Sequence, residues 1–144
     1  MAGTIVCGVD GSPAAVEAAR VATDLGEQLD LRVVLVHVAD GFTSDLARVG
    51  GERLVKRMAA EQGLDEIEAR IEVGDPAEWL AQVAAEERAA LILVGARSRR
   101  RPWRTLLRRD LARDLAGVTH CPVLVVPPKD TGSRHAEPLR LAAV

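Results

Sequence analysis

The apolar positions of this chain fall into five short runs, separated by longer stretches with helical spacing. The runs are TIVCGV (4–9), RVVLVHV (32–38), EARIEV (68–73), ALILVG (90–95) and PVLVVP (122–127). Four of them are almost continuous, as strands buried on both faces are. The third alternates, with Arg70 and Glu72 expected out and Ala69, Ile71 and Val73 expected in, and reads as an edge strand.

The stretches between them predict four helices. Ser12 is a good N-cap and Pro13 suits the first helical position, after which Ala18, Val21, Ala22, Leu25 and Leu29 form one apolar face. A second helix over 44–62 is weakened by Gly50 and Gly51, each costing about 1 kcal/mol relative to alanine. Asp75 and Pro76 repeat the cap-and-proline device at the start of a third. A fourth is predicted from Trp103 to Ala116, with Leu107, Leu111 and Leu115 on one face. Strands alternating with helices give a doubly wound α/β fold: an open five-stranded parallel sheet with helices on both faces and right-handed crossovers. One such domain occupies residues 1–128, and the patternless residues 129–144 are expected to form a mobile tail. Ligands of this architecture sit at the carboxyl ends of the strands, where the winding reverses.

Composition narrows the function. Aromatic residues make up only 2% of the chain, too few for the stacking platforms of single-strand nucleic-acid binders. Cys7 and Cys121 lie in or beside apolar runs with no metal-ligand spacing. The first residues lack a charged, apolar leader pattern and no apolar run approaches 18 residues, so a cytoplasmic protein without membrane contact is expected. From Arg97 to Asp114, eight arginines stand against two aspartates, a local +6. With −2 for the whole chain, the remainder carries −8. That asymmetry points to a negatively charged partner.

Three loops at strand ends carry candidate chemistry. Asp10 and Ser12 either cap the first helix or present a carboxylate to a ribose or base. Val38 and the residues after it leave the second strand, and neighbouring His37 reads as a core histidine with a hydrogen-bond partner. Gly95 ends the fourth strand ahead of the arginine run, where a helix N-terminus and guanidinium groups suit phosphate. The competing reading of that run is a solvated helix face, with Arg104–Arg108 and Arg109–Arg113 as i, i+4 pairs of like charge. No nucleophile–base pair or paired carboxylates occur, so no enzymatic activity beyond at most a slow ATPase is expected. A receiver domain is set aside, because Asp10 stands alone and EVGDP reads as a helix cap.

TIVCGVDGSPAA, RVVLVHVAD, GDPAEWL, ALILVGARS and THCPVLVVP, in this order and spacing, resemble a universal stress protein domain over residues 4–128. The resemblance implies the strand order 3-2-1-4-5, which sets Asp10 and Gly95 on one crevice. It also implies a homodimer through the last strand, Pro122 to Pro127. Many members of that family bind ATP through a glycine, two residues, a second glycine, nine residues, then glycine and a hydroxyl residue. Here Gly95 keeps the first glycine and Arg97 matches a frequent basic residue, while Ser98 replaces the second glycine. The final pair becomes Arg108-Arg109. A Cβ keeps backbone away from phosphate oxygens, so the cradle is degraded. Asp10 at the nucleoside and the Val38 backbone at the adenine are the implied contacts that persist. The expected protein is a stress-response or signalling dimer with weak or lost ATP binding. The alternatives are competent binding of ATP with magnesium, with Arg108 and Arg109 on the phosphates, and, ranked last, an anion or nucleic-acid binder.

Overall fold

A computed structural model describes residues 3–39, 45–63, 68–96 and 110–129. Its elements run β1 (Thr4–Gly8), α1 (Pro13–Leu29), β2 (Arg32–Ala39), α2 (Asp45–Glu61), β3 (Glu68–Val73), α3 (Pro76–Glu86), β4 (Ala89–Gly95), α4 (Leu111–Val118) and β5 (Val123–Val126). The five strands form one parallel sheet in the order β3-β2-β1-β4-β5. Both the fold class and the strand order are those expected from the sequence.

The near-continuous apolar runs have a direct cause. Ile5, Cys7, Val9, Leu35 and Leu93 point to one face and pack under Ala15, Ala18, Ala22 and Leu25 of α1 and Val55 and Met58 of α2. Val6, Val34, Val36, Ile92 and Val94 point to the other, under Leu80, Val83 and Ala84 of α3 and Leu115 of α4. These residues of β1, β2 and β4 therefore meet a helix whichever way they point, so alternation is lost there, while β5, expected to be buried on both faces, is an edge strand with Leu124 and Val125 exposed. Among the described residues no helix is long and apolar enough to cross a membrane.

Two expectations need correction. The in-and-out reading of β3 fails, since Ala69 and Val73 are exposed while Arg70 and Glu72 are half-buried. Arg70 is tied to Glu72 at 3.0 Å and to Glu86, in the last turn of α3, at 2.7 Å. Helices cover both faces of the sheet, and the charged pair holds β3 to the end of α3 instead of facing solvent. The fourth helix also does not run from Trp103 to Ala116. Asp110 has extended backbone (φ −69°, ψ 104°) and caps a helix that begins at Leu111, while Trp103 to Arg109 lie outside the described residues. Helix α2, by contrast, passes unbroken through Gly50 and Gly51. The expected tail, apart from Lys129, lies outside the described residues.

Candidate functional site

In a parallel sheet each crossover helix starts at the carboxyl end of one strand and returns to begin the next. The N-termini of α1 and α4 therefore share the end of the sheet at which β1, β2 and β4 finish. The winding reverses between β1 and β4, which are neighbours. Asp10, Val38 and Gly95 are thus brought to one rim. Arg97, Ser98, Arg108 and Arg109 lie outside the described residues.

The β1 side is a connected series of hydrogen bonds. Exposed Asp10 turns back on the chain, its Oδ1 accepting the Ser12 N–H at 3.0 Å. Ser12 Oγ in turn accepts the Ala15 N–H at 3.1 Å and so caps α1. Both readings of this loop are therefore compatible, for Ser12 supplies the cap and Asp10 supports it while keeping an exposed carboxylate. His37 has the partner expected of a core histidine: its Nδ1 lies 2.8 Å from the Val9 carbonyl. A carbonyl oxygen only accepts, so Nδ1 carries the proton.

Val38 is placed by the parity of a parallel ladder, in which alternate residues direct both backbone groups to the same neighbour. The Val36 carbonyl accepts the Val9 N–H at 2.9 Å, and the Ala39 carbonyl accepts the Gly74 N–H at 3.0 Å. Even-numbered residues of β2 thus address β1, and odd-numbered ones address β3. The N–H and carbonyl of Val38 turn toward β1, beyond its last ladder pair at Gly8 and Val36.

The β4 side is more closed. A Cβ on Gly95 would lie 2.6 Å from the Ala14 carbonyl carbon and the Ala15 nitrogen, so only glycine lets the first turn of α1 sit this close to β4. The next backbone N–H, that of Ala96, is spent on the Val126 carbonyl at 2.7 Å. At the start of α4, the Asp110 carboxylate takes the Arg113 N–H in a long, 3.5 Å bond. A negative group thus sits where a helix N-terminus otherwise attracts anions. Sequence reading passed over Asp110 because the predicted helix ran through it, although its pattern, aspartate followed by Leu-Ala-Arg-Asp, is that of an N-cap.

Thiol chemistry has no support at this site. Burial pushes the Cys7 thiol up to about 12, so it stays protonated at neutral pH. Cys121 is also raised by burial, and its Sγ lies 3.4 Å from the Ala89 carbonyl. Among the described residues no three His, Cys, Asp or Glu side chains gather as metal ligands.

The sequence profile of the Universal stress protein family matches residues 1–127. The chain belongs to the universal stress protein family. A relative in Methanocaldococcus jannaschii, universal stress protein MJ0531, is 30% identical over 138 residues, covering 85% of this chain and 80% of its own. Among solved structures, a universal stress protein in complex with cAMP superposes with a TM-score of 0.68 at 23% identity, over 88% of this chain and 98% of that one. The universal stress protein from Archaeoglobus fulgidus in complex with dAMP gives 0.65 at 20%, over 86% and 96%. At these identities the two structures speak for the fold.

Whether an ATP molecule fits can be judged at each end of the crevice. The β1–β2 side fits a nucleoside, with a carboxylate for hydroxyl groups and backbone edges for a base. On the described part of the β4–α4 side, the Ala96 N–H is already bonded to Val126 and the Asp110 carboxylate stands at the start of α4, which suits a triphosphate less well.

Proposed function

We propose that this universal stress protein is a dimeric stress-response or signalling protein whose crevice takes the nucleoside part of an adenine nucleotide and binds ATP weakly or not at all. The observation that carries this reading is Asp110, whose carboxylate caps the helix at the phosphate end of the crevice. The replacement of the family's later glycines by Ser98 and Arg108 acts in the same direction. The cAMP and dAMP complexes of structural relatives support an adenine nucleotide as the ligand class, each ligand carrying one phosphate rather than three. Asp10 would receive ribose hydroxyls, and the N–H and carbonyl of Val38 would receive the adenine edge. No bond-making step is assigned to any residue. Competent ATP binding, with Arg108 and Arg109 on the phosphates, is the outcome that would replace this reading. Calorimetric titration with ATP and with adenosine separates the two.

Dimerisation rests on the β5 edge of the sheet. Leu124 is 37% and Val125 43% exposed there, and Val118 at the end of α4 is 55% exposed. An open, apolar strand edge is prone to indiscriminate pairing, and a second copy of the same edge would cover it by two-fold symmetry. Val125→Asp is expected to weaken such a dimer about 100-fold, because a charge would enter an apolar interface. Sedimentation should then show monomer at micromolar protein where the parent chain is a dimer. A parent chain that sediments as a monomer contradicts the proposal.

A further inference from the structure

The ladder between β1 and β2 stops one step short of its next regular bond, and a side chain reaches the acceptor that bond would use. Val9 N–H bonds to the Val36 carbonyl, so the next bond of a parallel ladder would run from Val38 N–H to the Val9 carbonyl. The Val9 carbonyl instead takes its bond from His37 Nδ1, at 2.8 Å. The ring is held in place from α2. A Cβ on buried Gly51 would lie 2.7 Å from His37 Cδ2 and 3.6 Å from Ile71 Cγ2, so glycine alone lets the helix close over the imidazole.

We infer that His37 is a positioning residue for the crevice. By bonding the Val9 carbonyl it competes with the Val38 N–H for that acceptor and leaves this N–H available at the strand end, and it fixes the strand end from which Asp10 departs. The nucleoside would therefore owe both its base edge and its carboxylate to a histidine that does not touch it. Gly51, an apparent defect in a helix, becomes part of the same device. The inference rests on the nucleoside reading above only in its consequence for binding. Its structural core, the interrupted ladder, stands on hydrogen bonds alone.

The test compares His37→Leu, which removes the donor, with His37→Asn, whose amide nitrogen can replace Nδ1. Amide hydrogen exchange is read at Val38 and Ser12 in the full chain, with adenosine titration alongside. In His37→Leu the Val9 carbonyl should recruit Val38 N–H, slowing Val38 exchange about tenfold while Ser12 exchange quickens. Opposite movements at the two amides are not the signature of general destabilisation. Adenosine affinity should fall about tenfold, and His37→Asn should restore all three readings. Gly51→Ala, which displaces the ring but leaves the donor, should shift them in the same directions and decides the matter if His37→Leu does not fold. Unchanged exchange at Val38, or His37→Asn behaving as His37→Leu, would overturn the inference. If the exchange pattern appears but the parent chain gives no heat with adenosine, positioning stands and the nucleoside reading falls.

Discussion

The β1–β2 side of the crevice and the β4–α4 side are assembled from the same parts, a strand end, a polar cap and a helix N-terminus. They present different chemistry. On the first side the Val38 backbone faces β1 beyond its last ladder pair and the cap is the neutral hydroxyl of Ser12, with the Asp10 carboxylate exposed. On the second, Ala96 N–H is consumed by β5 and the cap is the carboxylate of Asp110. One side offers polar groups to a neutral ring and its sugar. The other sets the negative charge of Asp110 at the start of α4, where a phosphate would meet it. On the proposed reading, the family's crevice is kept while the part of the ligand it rewards is changed.

Removing the feature on the open side has the largest expected effect. Asp10→Ala should weaken adenosine and any residual ATP binding alike, by about tenfold, since one charge-assisted hydrogen bond is lost from both complexes. Loss of ATP affinity alone would place Asp10 at the phosphates and break the comparison. Asp110→Asn comes next. It keeps a capping side chain but removes the charge, so ATP affinity should rise about threefold with adenosine unchanged and stability nearly so. The ratio of the two affinities, read by calorimetry on both proteins, is the quantity to follow.

The smallest effect belongs to a substitution away from both sides. Arg70, paired with Glu72 on its own strand, holds the edge strand β3 to Glu86 and Glu87, and its guanidinium is raised above its usual range chiefly by the Glu86 bond. Arg70→Ala should lower Tm by roughly 3 °C and leave adenosine affinity unchanged. The Arg70 bond, seconded by Gln82, holds Glu86 below the usual carboxylate range. A carboxyl lowered in the folded state contributes stability above its unfolded value and loses that contribution as pH falls through the lowered one. The Tm difference between the two proteins should therefore shrink on acidification, which thermal melts at a series of pH values would show.

The sheet, its order and most element boundaries were legible because burial on both faces writes itself as continuous apolar runs, and Ser12-Pro13 and Asp75-Pro76 punctuate the helices. Asp10, Val38 and Gly95 were legible as strand-end residues. Less visible were features that depend on contacts across the chain. Arg70 and Glu72 looked like a solvent face, because nothing local announces that the end of α3 carries their partners. Gly51 looked like a weakness, because its ring contact with His37 spans two elements. Asp110 was hidden by leucine spacing that continues through it, at 107, 111 and 115, although the backbone does not. Local periodicity reports which residues share a face, but not where a helix is cut by a cap.

Preference of the crevice for the nucleoside over the triphosphate is tested by one pair of titrations on the unmodified chain. Adenosine should bind with measurable heat at millimolar ligand or below, and ATP should bind no more tightly than adenosine. ATP affinity about tenfold or more above that of adenosine would contradict the account and assign the arginines to the phosphates.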